Sequence, residues 1–245
     1  MMRTRFVAPL IATLLSTCAA AGTVQIYSAP NQPAKTLTGA EHLIDVVTQP
    51  QLANSWWPGA AIGERQATAV ARQQQQALLA HLTAVAGEES GNDRRAIEAL
   101  REQMKAITVT GRQLINLDPD TVRVSHSGNP RLQGEYSLWA GPRPDSITVF
   151  GLVSQPGKMP FTPGRDVARY LDANTLLSGA DRSYAWVIYP DGRTQKVPVA
   201  YWNHRHVEPM PGSTIYVGFA DALWSQTPDK LNADIVRALT QRVPE

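Results

Sequence analysis

Cysteine is close to absent from this chain of 245 residues: Cys18 is the only one, and it falls inside a leader-like segment at the start. Removal of that segment would leave no thiol, which excludes disulfide bonds and cysteine nucleophiles from what remains. Long apolar runs are lacking too. Past the leader, no stretch is apolar enough to span a bilayer, so the mature chain is expected to carry no transmembrane segment. An excess of charge of one sign is also missing. The 23 Lys and Arg face 21 Asp and Glu, and the leader takes two arginines and no acid with it, leaving 21 against 21. Without a net positive field there is no electrostatic basis for wholesale nucleic-acid binding. Catalytic signatures are equally scarce. Neither Gly-x-Ser-x-Gly nor Ser-x-x-Lys occurs, and no Gly-x-Gly-x-x-Gly is present. Gly157-Lys158 lacks the phosphate-cradling glycine five residues earlier and is not a P-loop. No enzyme activity and no cofactor are expected.

The leader itself is informative. Arg3 and Arg5 open it, residues 6–16 are apolar and uncharged, and Ala19-Ala20-Ala21 offers small side chains for a cut before Gly22. That is the three-part layout of a secretory signal peptide, residues 1–21, and it predicts a periplasmic protein. The rival is a lipoprotein signal ending at Leu15-Ser16-Thr17-Cys18, although Thr17 is larger than the residue usual before a lipidated cysteine. The mature chain of 224 residues suits one large domain or two of about 100 residues each. Eighteen prolines and 17 glycines predict many short elements joined by turns.

The second half reads most clearly. Residues 147–153 alternate as a strand, Gln155-Pro156-Gly157 turns the chain, and residues 158–162 return. A helix over about 165–173 places Val167, Tyr170 and Leu171 on one face. Residues 184–189 and 194–199 flank Pro190-Asp191-Gly192, a hairpin signal, and residues 214–219 form the last strand. This order is that of a β-grasp unit, one helix across a small mixed sheet. The first half holds a fainter copy. Thr38, Leu43 and Val47 precede Thr162, Val167 and Leu171 by 124 residues, whereas Ser137-Leu138-Trp139 precedes Ile215-Tyr216-Val217 by only 78. The difference of 46 implies an insertion. Two helical patterns fill it: residues 64–86, then a second helix capped by Asp93 with Ile97, Leu100, Met104 and Ile107 on one face. The pair is expected to pack on itself and on the first unit. The fold class is therefore α+β. Residues 22–142 form a first β-grasp domain with a helical hairpin inserted at about 60–108, residues 143–222 a second, and residues 223–245 a C-terminal amphipathic helix. That tail carries Leu231, Ile235 and Leu239 on one face and is expected to dock on the body.

Candidate site residues are few. Arg112 follows Gly111 where the chain re-enters the first sheet, and its guanidinium could fork onto a carboxylate, sulfate or sugar hydroxyls, or onto Asp118 or Asp120 as a structural ion pair. Trp56 and Trp57 could offer faces to sugar rings, or seal the join between domain and hairpin. Trp139, Trp186 and Trp202 read as buried packing. His204, His206 and Glu208 would share one face of a strand, yet three ligands within five residues lack a remote anchor, and no metal site is expected. Asp118-Pro119-Asp120 reads as a turn.

The motifs Gly151-x-Val153-x-x-Pro156-Gly157, Pro163-Gly164-x-x-Val167 and Pro211-Gly212-x-x-Ile215-x-Val217 resemble the soluble-ligand-binding β-grasp module of Wza-type polysaccharide export channels. The full layout resembles the GfcC/YjbG family of capsule and exopolysaccharide assembly proteins, over nearly all of the mature chain. The resemblance implies a non-catalytic periplasmic accessory in exopolysaccharide or capsule production and export, with surface polysaccharide or the export machinery as partner. A polysaccharide-modifying hydrolase using acids near Asp118 is the alternative.

Overall fold

The computed structural model describes residues 21–29, 32–220 and 228–244. The expected signal peptide, Cys18 included, lies outside the described residues except for Ala21, as do residues 223–227 of the expected tail. The protein is α+β, with two five-stranded mixed sheets and six α-helices among the described residues.

The first sheet collects β1 (Gly22–Tyr27), β2 (Lys35–Ala40), β3 (Ala61–Glu64), β4 (Gly111–Gln113) and β5 (Glu135–Trp139) in the order β2-β1-β5-β3-β4. Strands β1 and β5 run parallel, and the other pairs are antiparallel. Val24 and Ile26 are buried while Gln25 between them is exposed, the period-2 signature of a sheet with one covered face. The cover is α1 (Leu43–Val47), which turns Leu43, Val46 and Val47 into the same apolar cluster as Leu138. A short α4 (Pro119–Val124) adds Val122 to that cluster.

The second sheet repeats the order: β7 (Gly157–Pro160), β6 (Ser146–Gly151), β10 (Thr214–Val217), β8 (Tyr184–Ile188) and β9 (Thr194–Pro198), with β6 and β10 parallel. Here the strand pattern differs. All four residues of β10 are buried, because both faces of this sheet are covered. Its Val149, Ile215 and Val187 lie in one cluster with Val167 and Tyr170 of α5 (Val167–Leu171). Tyr216 faces the C-terminal helix α6 (Pro228–Thr240), where its hydroxyl donates to Asn232 Oδ1 at 2.9 Å.

Two long helices come from the first half, α2 (Arg65–Glu88) and α3 (Gly91–Ala106), side by side. Their expected packing on the first unit holds only for the start of α2, which lies against β3, β4 and β5; their apolar stripes dock elsewhere. Leu78, Leu82, Ala86, Ala96, Ile97, Leu100 and Met104 join the cluster of the second sheet, not the first. The apolar stripe of the pair needed a large uncovered sheet face, and the second sheet supplies it through Phe150 and Tyr216. Asp93 is not the cap of α3. It sits in the helix's first turn, where its carboxylate accepts a hydrogen bond from Ser178 of the second half. The stretch expected as inserted also contains β3, which pairs with β5 in the first sheet.

The exchange runs both ways. After α6 the chain returns to the first half, where Thr110 N donates to Gln241 O at 2.8 Å and Val243 N to Thr108 O at 2.8 Å.

Candidate functional site

Two glycines set the position of Arg112. A side chain at Gly63 would collide with Thr110, and one at Gly111 with the backbone of α2 at Ala67 and Thr68. Thr68 Oγ1 fixes this join by donating to Glu64 O at 2.6 Å and accepting from Gly111 N at 2.9 Å. Arg112 follows, opposite Gly63 on the edge strand β4. Its Nη2 donates to Ala60 O at 3.3 Å and to Pro190 O in the β8–β9 turn. One guanidinium thus ties the first sheet to the second.

That turn presses closely on β4. Gly192 has φ +90°, and a Cβ there would lie 2.6 Å from Leu114 Cδ2. Asp191 Oδ2 accepts from Arg193 Nε at 2.6 Å. Burial pushes the Arg112 pKa down from its ordinary value and the Asp191 charge opposes this, but a guanidinium stays cationic regardless.

Around this latch lies a cleft of about 560 Å³, whose walls include Trp57, Arg112, Leu114, Asp118, Asp191 and Arg193. A smaller cavity of about 60 Å³ sits on the other side of Arg112, with Trp56, Lys158 and Arg242 in its wall. The structure therefore brings all three expected site residues together around one arginine. Trp57 lines the larger space while also packing against the first core, and Trp56 lines the smaller one with its ring over Gly59.

The expected ion pair of Arg112 with Asp118 or Asp120 is replaced by the two backbone carbonyls. Asp118 instead caps α4, its Oδ1 accepting from Asp120 N at 3.0 Å and Thr121 N at 3.1 Å. The tripeptide is thus a helix start, with Pro119 in the first-turn position that proline favours. Asp120 points to solvent and pairs with Arg123 at 3.1 Å. This arrangement gives glycoside hydrolysis no pair of carboxylates facing each other across a cleft at Asp118 and Asp120.

His204, His206 and Glu208 lie on an irregular segment, not a strand. They gather around a residue that the sequence reading missed, Asp166, the N-cap of α5, whose side chain is 5 % exposed. His204 Nε2 lies 2.7 Å from Asp166 Oδ2, and His206 Nδ1 3.6 Å from the same oxygen. His206 Nε2 lies 2.9 Å from Glu208 Oε1. Burial works to raise the Asp166 pKa, but the Arg169 amide and the two histidines prevail and hold it low. Asp166 directly before the Val167 face was the available signal, since aspartate at that position caps a helix. Among the described residues, no three His, Cys, Asp or Glu side chains form a group suited to a metal ion. Nor is any described helix long and apolar enough to cross a membrane.

The description "Capsule biosynthesis GfcC, N-terminal" matches residues 20–143, and "Capsule biosynthesis GfcC C-terminal" matches residues 155–244. The chain belongs to the GfcC capsule biosynthesis family. The "Uncharacterized protein YjbG" of Escherichia coli (strain K12) is 64% identical over 245 residues, the whole of both chains. The two GfcC matches divide near Pro144, one ending just before β6 and the other resuming just after it. Membership in the GfcC family carries a role in capsule or exopolysaccharide production, and the Arg112 latch lies where its two matched halves meet.

Proposed function

We propose that this GfcC-family protein is a periplasmic, non-catalytic accessory of capsule or exopolysaccharide production and export, and that it holds a glycan or an export-machinery partner in the cleft beside Arg112. Each sheet with its short helix is a β-grasp unit in this reading, and α2 with α3 is a hairpin inserted in the first. The observation that carries the proposal is the position of Arg112. Its guanidinium donates to carbonyls of both sheets, yet it also lines the 560 Å³ cleft beside Trp57 and Arg193. A cation held there by the protein's own backbone is preorganised for a ligand oxygen. The Arg3/Arg5 leader with its Ala-Ala-Ala end supports export.

Replacement of the chromosomal gene by Arg112→Ala tests this. Surface polysaccharide should fall sharply while the purified variant, which gives up two hydrogen bonds to backbone carbonyls at about 1–3 kcal/mol each, still melts cooperatively and is folded at growth temperature. Normal polysaccharide in cells holding a folded Arg112→Ala protein would sink the cleft assignment. Mass spectrometry of the periplasmic fraction should find a chain beginning at Gly22. Purified protein incubated with the polysaccharide should release no new reducing ends.

A further inference from the structure

The sequence reading placed Trp202 in a buried strand, but it stands in a turn after β9 and is 62% exposed, and its neighbour Tyr201 is 93% exposed. The two rings meet edge to face, with centroids 5.1 Å apart and planes at 89°. Their turn is firmly built. Asn203 N donates to Ala200 O at 3.1 Å, Ala200 N donates to Asn203 Oδ1 at 3.0 Å, and Asn203 Nδ2 donates to Ser183 O at 3.2 Å. The next residue, His204, is held by the buried Asp166. Two large rings are thus kept in water on an immobilised backbone, where binding them would forfeit little conformational freedom.

Further aromatic surface adjoins Ser183. Tyr184 is 39% exposed, and Lys196 Nζ lies 4.9 Å from its ring centroid and 5.9 Å from that of Trp186, across the strand pair. Among the described residues, the exposed aliphatic side chains Val70, Leu114, Ile115 and Val124 all belong to the first half, and the large exposed apolar groups at this end are aromatic. A membrane would call for a broad face of Trp, Phe and Leu flanked by several cations. Perpendicular aromatic faces with one ammonium suit another partner. The C–H face of a pyranose lies flat on an aromatic ring, and the ammonium attracts a ring carboxylate.

We propose that this end of the β8–β9 ladder, with Tyr201, Trp202 and Tyr184 as stacking faces and Lys196 as cation, binds an acidic polysaccharide built of hexuronic acids. The surface lies at the far end of β8 and β9 from the Pro190 turn that meets Arg112, so it is a second contact and not an extension of the cleft. It deepens the polysaccharide role proposed above and rests on that reading.

The test is titration of the purified protein with polymannuronate and polygalacturonate oligosaccharides, followed by calorimetry and tryptophan fluorescence. The parent should bind at least one of them, and the double variant Tyr201→Ala, Trp202→Ala should bind at least tenfold more weakly with its melting temperature unchanged. Lys196→Ala should bind several-fold more weakly and with a shallower salt dependence, and neutral dextran should bind poorly to every variant. Val70→Ala, at an exposed side chain of α2 outside both surfaces, should bind the oligosaccharides as the parent does, and the polysaccharide output of Arg112→Ala cells reports on the cleft separately. The proposal is overturned if neither polyuronate binds, if the double variant binds like the parent, or if dextran binds equally well. Equal loss of binding to anionic phospholipid vesicles in the double variant, without any oligosaccharide binding by the parent, would assign the rings to a membrane instead.

Discussion

The side-chain amide of Gln103 makes both hydrogen bonds of a missing strand neighbour to Gly151: Nε2 donates to the glycine carbonyl at 2.9 Å, and the glycine amide donates to Oε1 at 2.8 Å. Gly151 ends β6 at φ +106°, and any side chain there would collide with Val217. The end of a strand in the second sheet is thus completed by a residue of α3, more than forty positions earlier in the chain. Gln103→Ala would leave the half-buried amide unpaired and the carbonyl with Val153 N at 2.9 Å as its remaining donor, at a cost of about 1–3 kcal/mol. Chemical denaturation of the variant should show this loss, and a midpoint equal to the parent's would remove Gln103 from the account.

The second sheet should not stand alone. Deleting residues 65–106 strips Leu82, Ile97, Leu100 and Met104 from a cluster in which they are buried. Loss of each comparable core side chain costs about 2–5 kcal/mol, and the sum exceeds the stability of an ordinary small domain. The shortened protein should lose cooperative melting by circular dichroism. A sharp transition near the parent's would show that the second sheet has a self-sufficient core after all.

Asn232 is the polar pin of α6. Its Oδ1 accepts from Tyr216 Oη at 2.9 Å and Phe219 N at 3.0 Å, and its Nδ2 donates to Phe219 O at 2.9 Å. All of these groups are buried, and burial raises the Tyr216 pKa far above its ordinary value. Asn232→Leu should cost about 2–4 kcal/mol, because it strands the buried Tyr216 hydroxyl and removes three hydrogen bonds from an apolar setting. Thermal melting measures this, and Tyr216→Phe in the same background should recover part of the loss.

Stability should also depend on pH through the His206 cluster. Its hydrogen bond to Glu208 holds the His206 imidazolium and raises the pKa above 6.5. The stabilisation is therefore fully present below about pH 6.5 and is lost as pH rises through the raised folded value. Glu208 is held below 4.5 by His206 and by the Gly164 amide, so its contribution is present above that value and is lost as pH falls through the depressed one. His206→Gln should melt below the parent at pH 6 and approach it at pH 9. A constant gap across that range would mean that His206 acts through packing alone.

Several parts of this fold were legible in the residues because they obey local rules. The apolar spacing of Ile97, Leu100 and Met104 marks a helix face wherever that helix docks, and Pro190-Asp191-Gly192 marks a turn whatever it touches. The docking partner was not legible, since a 3.6-residue period specifies a face and says nothing about which sheet covers it. The internal copy misled in one respect. It set Leu138 against Tyr216, yet Leu138 clusters with α1 and Tyr216 bonds to α6. A one-residue slip in a strand alignment reverses the face, and only a covered second face exposes the error. Arg112, Trp56 and Trp57 were found as residue types at a join. That Arg112 holds backbone carbonyls and not an acid depended on where the second sheet's turn arrives, which no spacing encodes. Trp202 was misread as buried and Tyr201 went unread, because an exposed ring and a buried one look alike in a string of letters.

The reciprocal crossing of the two halves has a consequence for biogenesis. A ribosome or a translocation pore delivers α2 and α3 well before the strands that cover them, and α6 arrives last of all. Until the strands of the second sheet and then α6 are through, the apolar side of the early helices is not fully covered. Because α6 packs on α2, truncation within α6 would be felt by a helix made near the beginning of the chain.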